Sequence, residues 1–128
     1  MSAPHFQILY VDNPARSASF YAALLGRPAA QSSPTFAMFA LESGAMLGLW
    51  SRHTVAPAVD GTGNSGEVAF AMAGDESVTA THAAWSGLGV RVIQPPVRQD
   101  FGYTFVALDP DGHRLRVFAP GPPPAVPA

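Results

Sequence analysis

Cysteine is missing from all 128 residues of the chain. That excludes disulfides, thiol catalysis and thiolate metal sites together. Charge is scarce: charged residues make up 12%, with seven Lys+Arg against nine Asp+Glu and a net charge of −2. So few cations cannot neutralise a run of phosphates, and no nucleic-acid partner is expected. No apolar run reaches the roughly 20 residues of a membrane helix, and the N-terminus carries no signal-peptide pattern. The expectation is a cytoplasmic protein with no membrane partner. What is present is apolar: 48% of the residues are hydrophobic. At this length one domain buries about two-thirds of its unfolded surface.

The sequence from Tyr103 to Phe118 reads as a β-hairpin. Tyr103 to Leu108 is rich in β-formers. Asp109-Pro-Asp-Gly112 is a turn: Asp bonds its own backbone, Pro110 presets φ, and Gly112 accepts the odd angle. Arg114 to Phe118 alternates, with Leu115 and Val117 on one face and Arg114, Arg116 and Phe118 on the other. Phe36 to Trp50 looks like an earlier copy of this hairpin.

Upstream of each hairpin lies a strand and a helix. Phe6 to Val11 is a strand. Asn13 then Pro14 start a helix as cap and first residue, and Gly26 stops it. Phe20 and Leu24, one turn apart, are expected to pack on the sheet. Ser51 to Gly66, with three Gly and one Pro, reads as a linker. The pattern then restarts. Glu67 to Met72 is a strand, and Asp75 caps a helix through Val78, His82 and Trp85 to Gly87. Val90 to Ile93 is a strand and Gln94 to Gly102 a loop. Gly121 to Ala128 is a Pro-rich tail, expected to be disordered.

The halves therefore superpose in sequence: Phe6 on Glu67 and Gly26 on Gly87, each 61 residues on, and Gly48 on Arg116, 68 on. The expected fold class is α+β, built from two β-α-β-β-β modules. Module 1 spans about 5–52, a linker 53–65, and module 2 about 66–120, together one domain over 1–120 with the tail at 121–128. Neither half buries its sheet alone, so the halves are expected to pair.

Parity sorts the side chains. Phe6, Ile8, Tyr10, Phe36, Met38 and Trp50 share one face of the first sheet. Leu9, Val11, Phe39, Leu47 and Leu49 share the other, which is the helix-packed core. In the second sheet Val68, Phe70, Phe105, Leu115 and Val117 are core. Glu67, Ala69, Thr104, Val106, Arg114 and Arg116 face away from it. Gly48, beside Trp50, leaves room on the first face. Trp85 has the helical spacing that packing needs.

The doubled pattern, with Asn-Pro-Ala-Arg-Ser-x-x-Phe-Tyr-x-x-Leu-Leu-Gly at 13–26 and Asp-Pro-Asp-Gly-His at 109–113, resembles the vicinal oxygen chelate superfamily of glyoxalases, dioxygenases and bleomycin-resistance proteins. The resemblance implies curved, cup-shaped sheets that often meet across a homodimer interface. It also implies, for the enzymes, a metal held by His, Glu or Gln on the first and last strand of each half. Mapped here, those positions are Phe6, Gly48, Glu67 and Arg116. Phe and Gly cannot ligate, and Arg offers no free lone pair. Glu67 alone holds a divalent ion weakly. A slip of one residue would bring His5 to the first position, but it would also turn that whole strand over. His53 and His113 are read as surface residues, and His82 as covering the sheet edge.

Further segments, Gln7-x-x-Tyr-Val, Leu49-Trp50-Ser51, Asp100-Phe-Gly-x-Thr-Phe105 and the stretch from Asp109 to Val117, resemble the phenazine-antibiotic resistance proteins. Those are metal-free binders of a planar tricyclic compound. The likeness implies that Trp50 is a stacking platform, that Phe101 and Tyr103 sit by the cup mouth, and that no cofactor is needed. The expected ligand site is Phe6, Tyr10, Phe36, Met38, Gly48, Trp50, Glu67, Phe101, Tyr103 and Arg116, holding a small planar aromatic ligand in a homodimer. Two other readings compete: a metal-dependent glyoxalase- or dioxygenase-like lyase or isomerase of the same fold, and a dimeric scaffold with no ligand.

Overall fold

The computed structural model describes residues 6–56, 58–59 and 66–121. His5, position 57, positions 60–65 and positions 122–128 lie outside the described residues, so the expectations for the His5 slip, most of the linker and most of the tail fall outside them too. The chain divides into two units, Met1–Thr62 and Gly63–Ala128.

In the first unit β1 (Phe6–Val11) leads into α1 (Pro14–Leu25), followed by β2 (Gln31–Ser32), β3 (Phe36–Ala40) and β4 (Met46–Ser51). The sheet order is β1-β4-β3-β2, with β1 parallel to β4 and the other pairs antiparallel. Asn13, in an extended conformation, caps α1: its side chain accepts the Arg16 N–H at 3.2 Å, and Pro14 follows at the start. Gly26 ends the helix at φ 68°, donating its N–H to the Ala22 carbonyl. The face α1 buries differs from the expected one. Pro14, Ser17 and Tyr21 are buried, whereas Phe20 and Leu24 are half-buried flanks. The i, i+3, i+7 line runs through Tyr21, whose ring centroid lies 6.5 Å from that of Phe39, so Tyr21 is the anchor. Under it Val11, Phe39 and Leu49 are fully buried. The start of the linker is ordered. Ser51 closes β4, and its carbonyl accepts the Thr54 and Val55 N–H groups, with Val55 buried.

The second unit repeats the plan with β5 (Glu67–Ala71), α2 (Asp75–Gly87), β6 (Arg91–Gln99), β7 (Gly102–Leu108) and β8 (Arg114–Pro120), in the order β5-β8-β7-β6. Trp85 is its keystone. The indole is buried, edge-on to Phe70 at 5.8 Å and to Phe105 at 5.4 Å. His82 lies against Phe105 at 5.2 Å, so it packs on the helix side of the sheet rather than covering its edge.

Three details correct the sequence reading. Asp75 does not cap α2. Gly74 holds the cap position, and Asp75, the first helical residue, pairs instead with Arg98. The helix ends at Gly87 as expected, but the left-handed residue that closes it lies beyond the cap at Leu88. Gly89 takes the left-handed position at φ 81°, with Gly89 N–H to Ser86 O and Val90 N–H to Trp85 O completing a Schellman closure. The true counterpart of Gly26 is therefore Gly89. The stretch Gln94 to Gln99 is strand, not loop. β6 crosses Pro95 and Pro96 because it is a sheet edge and carries register shifts between Val92 and Gln94 and between Gln94 and Val97. An edge strand tolerates the lost donors, and bulges absorb the misfit.

The turn between β7 and β8 is tied from its first residue. Asp109 Oδ1 accepts the Asp111 N–H at 2.9 Å and the His113 N–H at 2.8 Å, while Oδ2 meets His113 Nδ1 at 2.7 Å. The Asp109 side chain is fully buried and that of His113 only 17% exposed, so His113 is no free surface residue. The corresponding turn of the first unit, from Leu41 to Ala45, keeps the backbone bonds and Gly44 at φ 90° but has no such clamp.

The hydrogen bond to Asp109 raises the pKa of His113 above its ordinary 6.5, against the opposing effect of burial. A group with a raised folded pKa stabilises fully below its unfolded value, and that contribution is lost as pH rises through the folded one. The urea midpoint should therefore fall as pH rises from about 6 to about 9. A His113→Gln variant should be flat over that range, and urea titrations at stepped pH check both.

Candidate functional site

Each sheet has one face under its helix and one that is not. In the first unit the strand alternation decides what the second face carries. Along β1, Leu9 and Val11 point to the helix and are buried, while Phe6, Ile8 and Tyr10 are 43%, 42% and 45% exposed. The ladder sets Ile8 and Met38 on either side of Gly48, and Tyr10 and Phe36 on either side of Trp50. The structure thus brings Phe6, Tyr10, Phe36, Met38, Gly48 and Trp50 onto one apolar face, joined by Ile8. Trp50 is half-buried, with the Tyr10 ring edge-on at 6.4 Å.

Gly48 departs from the expectation that it leaves space. A Cβ built there would lie 2.8 Å from a Phe6 ring carbon and 3.1 Å from one of Phe36. The two rings close over the glycine, so its missing side chain is what lets them meet. Gly48 is a floor, and the recess beside Trp50 is already filled by phenylalanine.

In the second unit the corresponding face is polar. Arg116 donates from Nε to Glu67 Oε1 at 2.8 Å and from Nη2 to Glu67 Oε2 at 3.0 Å, a bidentate pair. Its Nη1 reaches the Thr104 hydroxyl at 3.2 Å, and that hydroxyl donates to the Val117 carbonyl at 2.8 Å. Phe101 lies against the guanidinium, 5.5 Å from its centroid to Cζ, and is edge-on to Phe118 at 6.0 Å. The side chains of Arg116 and Glu67 are only 17% and 30% exposed. The hydrogen bonds from Arg116 lower the pKa of Glu67 below its ordinary range, with burial opposing. The Glu67 carboxylate is therefore ionised at neutral pH and held at both oxygens.

Tyr103 does not join this group. Alternation along β7 places it on the side of Phe105, and its ring lies under the Arg98 guanidinium at 5.4 Å. Arg98 in turn binds Asp75 at the start of α2. Tyr103 belongs to a strap between β6 and the helix. Conversely, Gln94 escapes the sequence reading because two prolines follow it. It stands opposite Val106, itself opposite Arg116, on the same face as the ion pair.

The residues do not fit a bound metal at the positions where enzymes of this architecture hold one. Phe6 and Gly48 have no donor, Arg116 is a cation, and both oxygens of Glu67 are engaged by Arg116. Among the described residues one cluster has donors close enough for an ion, Asp109, Asp111 and His113, within 4.8 Å of one another. Asp109 there is spent on the turn it closes.

A family model described as the glyoxalase/bleomycin resistance protein/dioxygenase superfamily matches residues 2–117. The chain belongs to that superfamily. A protein of Agrobacterium tumefaciens, ATC0852, whose structure was solved in solution, is 54% identical, with a TM-score of 0.85 over 94% of this chain and 99% of that one. Lactoylglutathione lyase from Agrobacterium tumefaciens is 20% identical, with a TM-score of 0.79 over 93% of this chain and 94% of that one, a likeness of fold. The phenazine antibiotic resistance protein EhpR of Enterobacter agglomerans is 28% identical over 117 residues, 89% of each chain. The two four-stranded curved sheets of the superfamily are the frames on which these faces stand.

The Glu67–Arg116 pair generates a prediction about stability. Arg116→Met removes both hydrogen bonds to a half-buried carboxylate and should cost about 1–3 kcal/mol. Adding Glu67→Met should restore most of that loss, because the stranded charge is gone. Urea denaturation of the two single variants and the double variant checks the sign of the coupling.

Proposed function

We propose that this member of the superfamily is a metal-free binding protein. It traps a planar aromatic compound, such as a phenazine, against its open sheet faces as a homodimer and does not transform it. The observation that carries this reading is the face formed by Phe6, Ile8, Tyr10, Phe36, Met38 and Trp50, where the β1 side chains stay more than 40% exposed. An apolar face of flat rings is what a planar ligand needs, and on a soluble domain it does not stay uncovered. The likeness to EhpR supports the same reading.

Trp50 is the stacking surface, with Tyr10 and Phe36 beside it. Phe101, Arg116 and Glu67 form a separate, charged surface in the second unit. The magnitudes suffice. Burying about 300 Å² of ligand apolar surface at about 25 cal/mol per Å² gives roughly 7 kcal/mol. Stacking adds about 1 kcal/mol, and association costs of several kcal/mol leave a dissociation constant near micromolar. Sequestration works at that affinity when the protein is abundant. A metal-dependent lyase or isomerase needs at least three donors, and the mapped positions supply one carboxylate already bound to arginine.

Two tryptophans on opposite sides of their sheets make the test clean. Phenazine should quench Trp50 fluorescence on titration. Trp50→Ala should weaken binding by about 1–3 kcal/mol and leave the fold intact. Trp85→Ala should leave the site untouched and cost about 3–5 kcal/mol of stability. A Trp50→Ala variant that melts but binds normally would reverse the assignment of faces. Elemental analysis showing about one transition-metal ion per chain, lost on chelation together with a measured turnover, would favour the enzyme instead.

A further inference from the structure

Three of the chain's seven Lys+Arg cations, Arg91, Arg114 and Arg116, stand on the face of the second sheet opposite α2. Arg116 is held there by Glu67 and Thr104. The other two are not held. Among the described residues, neither the Arg91 nor the Arg114 side chain makes a hydrogen bond or an ion pair, and both residues are exposed. The ladder sets them in one row: Arg91 opposite Leu108, Leu108 opposite Arg114, and Arg114 opposite Glu67. Glu67 is the near partner for Arg114, yet it gives both oxygens to Arg116 in the next row. Two cations are thus left with a leucine between them. Acids are not scarce in a chain of net charge −2, and one in place of Leu108 would relieve the repulsion. Adjacent strands lie about 4.8 Å apart, so the two Cα atoms are about 10 Å apart and both long stems can reach one group above Leu108. Val106, in the row beside it, is buried, so the charges act next to a dry surface where screening is weak.

We propose that Arg91 and Arg114 form an anion site on the second unit, taking a doubly charged oxyanion, a small phosphomonoester, that bridges the two guanidiniums over Leu108. Each guanidinium is a planar fork that meets phosphate oxygens two at a time. Two unanswered cations balance one dianion, whereas a monocarboxylate leaves one of them unanswered. Leu108 is half-buried and gives the organic part of the ester an apolar seat. The site stands wholly within the second unit and is independent of the aromatic-ligand reading of the first.

Amide NMR titrations of the full chain compare phenyl phosphate with benzoate at low salt and pH about 8, where a phosphate ester carries close to two charges. Phenyl phosphate should saturate with shifts centred on Arg91, Leu108 and Arg114, and should bind about tenfold more tightly than benzoate. Arg91→Gln and Arg114→Gln should each weaken it about tenfold. Arg16→Gln, which removes the same charge from the first unit, should change it less than about twofold. Without ligand, the Arg91 and Arg114 variants should melt as high as the wild type or slightly higher, because a repulsion is relieved. No saturable binding overturns the inference, as does equal weakening by all three variants, which is the attraction of overall charge alone. Benzoate that binds as tightly as phenyl phosphate overturns the assignment to a dianion. An Arg91 or Arg114 variant that melts well below the wild type shows that the guanidinium already has a structural partner, and overturns the site without reference to any ligand.

Discussion

A four-stranded sheet has two faces, and each unit of this chain supplies one helix. That shortage governs the structure. Along β1, the residues that alternate with Leu9 and Val11 are Phe6, Ile8 and Tyr10, as apolar as the buried set. In an ordinary two-layer domain those positions would be polar, because strand alternation places them in water. Here the chain spends its few charges elsewhere. The hydrophobic effect that seals Tyr21 and Trp85 under the sheets acts equally on the second set, with nothing in the unit to satisfy it. In the proposed function, the force that folds one face drives binding on the other.

The two units solve this differently on one backbone plan. The first unit keeps an aromatic face and tightens it with a glycine, since the Phe6 and Phe36 rings converge where a Cβ at Gly48 would stand. The second unit replaces the rings with an ion pair braced on three sides by Thr104, Phe101 and the carboxylate itself. A guanidinium held flat loses little freedom when it meets a ligand, so its donors are ready in advance. The duplicated architecture thus yields one aromatic, apolar surface and one charged surface. The positions where the superfamily's enzymes hold metal are taken up by these two solutions.

Much of the fold was legible in the sequence because its signals are local. Asn13-Pro14 and Gly26 mark α1, and the Asp109 turn with Gly112 marks the second hairpin. Alternation separates Leu47 and Leu49 from Trp50. What was not legible depends on neighbours in space. Tyr21 rather than Phe20 faces the sheet because of how α1 is rotated on β3 and β4. The β6 strand continues through Pro95 and Pro96 only because no strand lies beyond it. Asp75 does not cap because its carboxylate pairs with an arginine 23 residues on. In the site, parity gave the open face of the first unit correctly. Tyr103 was carried to the wrong side by a likeness that ignored its parity with Phe105. Gln94 had no sequence signal, since its place opposite Val106 is set by the register irregularities of β6.

In the proposed function, a planar compound sits on the exposed aromatic face of the first unit. Amide and methyl NMR spectra of the isotope-labelled protein, recorded while phenazine is titrated in, test it most directly. Perturbations should centre on Phe6, Ile8, Tyr10, Phe36, Met38 and Trp50, with Tyr21, Trp85 and the Asp109 turn unmoved. Perturbations centred on the helices or on that turn, or none at saturating phenazine, would contradict it.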